Sequence, residues 1–194
     1  MDHTKAFYWY SLEAQQGYAD AQCNLGVIYD KGLGVRQDYK KAVYWYNLAA
    51  EQGYPDARCK LGVSYEKGRG VRRDAKKAFY WYTLSAEQGD SRAQGNLGYM
   101  YENGLGVPQD TKKAIYWYML SAEKGNSIAQ RNLGSMYLHG KGIEPNLELA
   151  YMWGNLAAAN GAEPDVRYAA AEELNSEQLA RAQKMSSDWA DAHR

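Results

Sequence analysis

The chain repeats itself every 36 residues, and no other feature limits its fold as strongly. Lys5-Ala-Phe-Tyr-Trp-Tyr10 returns as Lys41-Ala-Val-Tyr-Trp-Tyr46, Lys77-Ala-Phe-Tyr-Trp-Tyr82 and Lys113-Ala-Ile-Tyr-Trp-Tyr118, and a degenerate copy, Leu149-Ala-Tyr-Met-Trp-Gly154, keeps the step. A second block, Ala21, Leu25, Gly26 and Tyr29, returns at Ala57, Leu61, Gly62 and Tyr65, at Ala93, Leu97, Gly98 and Tyr101, and at Ala129, Leu133, Gly134 and Tyr137. A unit this short cannot bury its apolar face alone, so successive copies must stack and cover one another.

Within each copy two stretches show helical periodicity. Ala21, Leu25, Ile28 and Tyr29 fall on one stripe of a helix. That helix is expected to stop at Gly32-Leu-Gly34-Val35, because glycine accepts the left-handed backbone of a helix end; the loop recurs at Gly68, Gly104 and Gly140. The second helix is expected to open on Asp38, Asp74, Asp110 or Asn146, whose side chains cap exposed amides. Its inward stripe reads Ala42, Trp45, Tyr46, Ala49 and Ala50, and it ends at Gly53 and the equivalents Gly17, Gly89, Gly125 and Gly161. Glycine inside a helix costs about 1 kcal/mol against alanine. Gly26, Gly62, Gly98 and Gly134 therefore predict that large aromatic rings of a neighbouring helix come close.

The domain reading is a single array over residues 2–193: a second helix without its partner at 2–17, four helix pairs at 19–53, 55–89, 91–125 and 127–161, and two capping helices at 165–192. Asp2 stands 36 residues before Asp38 and is expected to cap the first helix, leaving Ala6, Trp9 and Tyr10 with half their cover missing. Self-association through that open helix is one expectation. Asn175 with Gln178 predicts a capping box, and Leu179, Ala182, Ser186 and Trp189 form the stripe of the last helix. Lys plus Arg and Asp plus Glu number 23 each, a balance that argues against a nucleic-acid or anionic-membrane binder. No apolar run approaches the roughly 20 residues of a membrane span. Met1-Asp-His-Thr-Lys5 does not read as a secretory leader.

Ala-x-x-x-Leu-Gly-x-x-Tyr, Gly-x-Gly-Val, Lys-Ala-x-x-Trp-Tyr and Ala-x-x-Gly in one 36-residue frame resemble the Sel-one-like repeats, relatives of the tetratricopeptide repeats. The resemblance covers about residues 2–161, and the last two helices resemble the closing segment of bacterial members. It implies an all-α, right-handed α/α superhelical solenoid of helix-turn-helix repeats. It further implies a non-enzymatic scaffold, bacterial, that binds another protein or peptide in a concave groove. An immunity or adaptor protein that neutralises a secreted effector is the narrower form. An enzyme or small-molecule binder acting on cell-wall components is the rival.

Residues that carry chemistry are sparse. Cys23 and Cys59 hold the same place in successive repeats. Equivalent points on stacked helices lie about 8–10 Å apart, and a disulfide needs Cα atoms about 4.4–6.8 Å apart. Free thiols are expected, departing from the family's cysteine-rich branch, and they favour a cytoplasmic location over a periplasmic or secreted one. His3, His139 and His193 are far apart, and no cluster has metal-ligand spacing, so no metal or cofactor is expected. The carboxylates sit at helix ends, where the helix dipole explains them. The Gly-x-Gly-Val loops lack the strand and lysine of a phosphate loop.

In tetratricopeptide-like superhelices the first helix of each pair lines the concave face, and here its solvent positions vary while its core positions do not. The candidate partner-binding residues are Asn24, Val27 and Lys31, then Lys60, Val63 and Lys67. They continue as Asn96, Tyr99 and Asn103, then Arg131, Asn132, Ser135 and His139. Cys23, Cys59 and Gly95 belong to the same series as Arg131 and are expected on that face. The asparagines suit a partner's backbone, and Tyr99 suits an aromatic anchor. An outer ridge of Tyr8, Tyr44, Tyr80 and Tyr116 is the competing surface.

Overall fold

The structure, a computed structural model, describes residues 3–193, so the expected cap at Asp2 lies outside the described residues. Every regular element among those residues is a helix. First comes α1 (His3–Gln15). Four hairpins follow: α2 (Ala19–Lys31) with α3 (Tyr39–Glu51), α4 (Pro55–Lys67) with α5 (Ala75–Ala86), α6 (Ser91–Asn103) with α7 (Thr111–Glu123), and α8 (Ser127–His139) with α9 (Leu147–Ala159). The shorter α10 (Asp165–Glu173) and the longer α11 (Ser176–Ala192) close the chain. Two compact units result. Unit 1 is Met1–Ala93 with Leu105–Val107, and unit 2 is Gln94–Gly104 with Pro108–Arg194.

The caps sit where the repeat pattern expects them. The Asp38, Asp74 and Asp110 carboxylates each accept the amide three residues on at 3.0 Å, and Asn146 accepts Leu149 N–H at 2.9 Å. Asn175 and Gln178 form both bonds of the capping box. The turn out of α2 needs a left-handed residue, which Gly32 supplies at φ 69°. The next loop glycine has a different task. A β-carbon on Gly70 would collide with the Tyr39 carbonyl, so this is where the second inter-helix loop nests against the start of α3.

Each hairpin of unit 1 closes on one contact. A β-carbon on Gly26 would stand 2.5 Å from the Tyr46 ring, and Gly62 meets the Tyr82 ring more tightly still. Unit 2 repeats the arrangement with Gly98 under Tyr118, where a β-carbon would lie 2.7 Å from the ring. Tyrosine, not tryptophan, takes the innermost place. Tyr46, Tyr82 and Tyr118 are at most 1 % exposed. Trp45, Trp81 and Trp117 are only half-buried. One residue along a helix is about 100° of rotation. That turn carries Trp45 off the hairpin seam and against the Ala14, Ala21 and Leu25 cluster shared with α1.

A ring buried this deeply needs a partner for its hydroxyl. Tyr82 donates to Glu66 at 2.5 Å and Tyr118 to Glu102 at 2.7 Å. Burial, then the bond to the carboxylate, pushes both phenols far above the usual tyrosine range. The Tyr46 hydroxyl is buried without a partner, and the residue in the matching place is Asp30, one methylene shorter. In the last hairpin the tyrosine is Gly154 and the glutamate is Leu138. Ring and carboxylate disappear together, and the backbone of α10 fills the space. A β-carbon on Gly154 would lie 2.7 Å from the Arg167 amide nitrogen.

Between repeats a polar side chain ties three of the four first helices, α2, α4 and α8, to the end of the helix before. Gln22 donates to Ala14 O at 3.2 Å, Arg58 to Ala50 O at 3.2 Å, and Gln130 to Ala122 O at 3.0 Å. Each adds a second bond to a carbonyl that already accepts the glycine amide of the turn after its helix.

Asp30→Glu should let a carboxylate reach the orphaned Tyr46 hydroxyl and stabilise the chain by about 0.5–1.5 kcal/mol, read as a raised urea midpoint. Glu66→Asp should move the midpoint the other way.

Candidate functional site

The variable positions of the first helices lie on a solvent-facing strip in each unit. In unit 1, Asn24 and Lys31 on α2 and Lys67 on α4 are exposed, while Val27, Lys60 and Val63 are half-buried. Val27 leans on the cluster built from α3 and α4, so part of its surface already serves the core. In unit 2, Asn103 and His139 are exposed and Asn96, Arg131, Asn132 and Ser135 half-buried. Tyr99 stands out at 47 % exposed on a helix whose neighbouring Leu97 and Met100 are fully covered. Asn103 spends its amide on the Tyr99 carbonyl at 2.9 Å.

Two expectations need correction. Cys23 and Cys59 do not face solvent. Both are buried, 1 % and 3 % exposed, and both are free. In unit 1, α2 stands beside α4, so a residue on the flank of α2 is covered by α4. Cys23 packs with Ala57 and Leu61 of α4, and its thiol donates to Asp56 at 3.3 Å. Arg131 occupies the same flank two repeats beyond Cys59. It is not a free groove residue but forms a two-pronged ion pair with Asp165 on α10. That guanidinium holds the Asp165 carboxyl below the usual carboxylate range. In unit 1, Arg92 bonds Asp56 and Asp90 in a comparable tie between first helices.

Asp165, Val166 and Ala169 therefore join Arg131, Asn132, Ser135 and His139 around a hollow of about 230 Å³. The sequence reading missed these α10 residues. The signal was available, since Arg131 and Asp165 are opposite charges 34 residues apart, close to one repeat step. The tyrosines of the rival surface are exposed as well. Tyr8, Tyr44 and Tyr80 in unit 1 are 58 %, 57 % and 55 % exposed, and Tyr116 in unit 2 is 57 %. Each meets the following tryptophan edge to face, at 5.4 Å for Tyr8 and 5.1 Å for the other three. No group of His, Cys, Asp or Glu able to hold a metal occurs among the described residues, and no described helix is long and apolar enough to cross a membrane.

Stacked α-hairpins built on a single 36-residue pattern define an α/α repeat protein of the tetratricopeptide-like solenoid class. The family model of the Sel1 repeat matches residues 2–18, 19–54, 55–90, 91–126 and 127–161, and the chain belongs to that family. A Sel1 repeat protein from Oxalobacter formigenes is 37 % identical, with a TM-score of 0.80, over 100 % of this chain and 79 % of that one. A protective antigen present in uropathogenic Escherichia coli strains, with the same fold, is 30 % identical with a TM-score of 0.62. The match covers 98 % of this chain but 49 % of the antigen, so the chain spans about half of that protein. An immunity protein from Pseudomonas aeruginosa shares the fold at 18 % identity and a TM-score of 0.62, over 97 % of this chain and 75 % of that one. No curated protein matches the chain.

Burial raises the Cys59 thiol to about 12, and burial followed by the nearby Asp56 charge raises Cys23 further. Only the thiolate reacts rapidly. Both thiols should resist iodoacetamide in the folded protein at pH 8 and label quickly in denaturant, as counted by mass spectrometry.

Proposed function

We infer that this chain is a non-enzymatic interaction scaffold that holds a partner protein or peptide in a concave groove lined by the solvent-facing strip of its first helices. Sel1 repeat proteins are generally protein-interaction scaffolds, and this chain has their frame. The observation that carries the reading is Tyr99. A large ring left 47 % exposed on an otherwise well-covered helix, beside Asn96 and Asn103, offers area and orientation at little cost to the core. In unit 2 the hollow bounded by Asn132, Ser135, His139 and Val166 adjoins polar groups suited to a partner's backbone. In unit 1 the strip is more basic, with Lys31, Lys60 and Lys67. Neutralising a secreted effector is the narrower form of this role. It is motivated by the immunity protein of like fold.

Tyr99→Ala should leave the unfolding midpoint within about 0.5 kcal/mol, as surface changes do, and weaken a partner recovered by pull-down at least about tenfold, the loss of an aromatic anchor. Loss of folding in that variant would place the ring in the core and remove the reading. Co-purification of a secreted toxin would support the narrower form.

Self-association through α1 is the companion reading, favoured by Trp9 at 61 % exposed where its equivalent Trp45 is half-buried. It expects the full chain to sediment as a dimer that Trp9→Ala returns to monomer; a clean wild-type monomer removes it.

A further inference from the structure

The chain is neutral overall, with 23 charges of each sign, but unit 1 is not evenly charged. The loop between α2 and α3 and the first turn of α3 carry Arg36, Lys40 and Lys41, all exposed. The matching stretch between α4 and α5 carries Arg69, Arg72, Arg73, Lys76 and Lys77, also all exposed. The carboxylates inside these stretches, Asp38 and Asp74, are engaged as helix caps at 3.0 Å. Lys41, Lys77 and Arg69 lie over tyrosine rings at 5.2, 5.3 and 5.6 Å. Among the described residues, Arg36, Lys40, Arg72, Arg73 and Lys76 are in no ion pair.

The fold does not require this charge. The matching stretch before α7 reads Pro108-Gln109-Asp110-Thr111-Lys112-Lys113, with the same cap and no arginine. The stretch before α9 reads Glu144-Pro145-Asn146-Leu147-Glu148-Leu149, which reverses the sign and still caps. Cations at a helix start are also opposed by the helix dipole. Local structure therefore does not need Arg36, Lys40, Arg72, Arg73 and Lys76 of unit 1.

The cluster has a shape as well as a sign. Two clefts open between successive loops, one of about 530 Å³ floored by Gly70 and edged by Arg36 and Lys40, the other of about 690 Å³ floored by Gly106 and edged by Arg72, Arg73 and Lys76. Each floor is close-packed backbone, Gly70 against Tyr39 and Gly106 against Ala75, so the basic side chains stand at the rims of the clefts. Among the described residues no large exposed apolar side chain lies in the two loops, and the nearest exposed rings, Tyr44 and Tyr80, stand one turn beyond Lys40 and Lys76, so the edge itself is polar. Exposed Glu51 and Glu87 stand at the far ends of α3 and α5, and the basic face is only two loops wide, a poor track for a long nucleic acid.

We propose that this loop edge of unit 1 is a docking surface for an extended acidic segment of a partner polypeptide, whose carboxylates enter the two clefts. This surface is separate from the first-helix face, so the two succeed or fail independently.

The test is fluorescence anisotropy of a labelled oligoglutamate peptide titrated with the full chain. Saturable binding is expected, weakening at least about tenfold as salt rises from roughly 50 to 300 mM. Arg72→Glu with Arg73→Glu should weaken it at least about tenfold without changing thermal unfolding, since both side chains are exposed. Lys112→Glu in unit 2 and Tyr99→Ala should leave it unchanged. No binding, binding indifferent to the double charge reversal, or tighter binding to a single-stranded oligonucleotide or to phosphatidylserine vesicles would overturn the proposal.

Discussion

A tyrosine ring lying on a bare helix backbone is the contact from which the rest of this structure follows. Gly26, Gly62 and Gly98 carry no side chain because Tyr46, Tyr82 and Tyr118 occupy that space. The glycine costs helix stability, about 1 kcal/mol against alanine. The ring offsets it by full burial, and it fixes how closely the two helices of a hairpin approach. Burying the ring brings a phenol with it, and the phenol requires an acceptor. Glu66 and Glu102 supply one across the hairpin. Ring and carboxylate are therefore coupled, and the last hairpin shows it, although Gly134 remains there against Val166 and the α9 backbone. Where Gly154 replaces the tyrosine, Leu138 replaces the glutamate, and α10 takes the vacated volume.

With the frame secured by so few residues, the remaining surface is free to differ between repeats. The first helices carry lysine and valine in unit 1 and Tyr99, Asn132 and His139 in unit 2. The loops carry arginine pairs in one repeat and Glu144 with Pro145 in another. Two kinds of surface arise in this way. One is a polar strip with an aromatic anchor, and the other a charged edge with glycine-floored clefts. Neither holds a group of metal-binding side chains among the described residues. Both suit a Sel1 repeat scaffold, whose recognition depends on what its solvent positions present.

Much of the fold was legible from the repeat step, the aspartate caps, the loop glycines and the Asn175–Gln178 box, because each reports a local backbone requirement. The candidate site was legible only in part. Periodicity locates the face opposite the core stripe, and it found Asn24, Tyr99 and His139 correctly as exposed. It failed at the flanks. A helix in a stack is covered on its flank as well as below, so Cys23 is buried against α4, and Arg131 is held by Asp165. It put Trp45 and Tyr46 on one inward stripe, whereas the seam between paired helices is lined by the tyrosine and the tryptophan is half-buried.

What the sequence determined by itself is the helix-pair repeat, its caps and turns, and the need for close helix contact at the mid-helix glycines. These depend on residues near one another along the chain and on a period that is counted directly. The tertiary structure alone decided which ring meets which glycine, which hydroxyl is left without an acceptor, and which polar side chains are spent between neighbouring helices. Those outcomes turn on distances of an ångström or two between residues 16 to 36 positions apart, where one methylene separates Asp30 from a working glutamate.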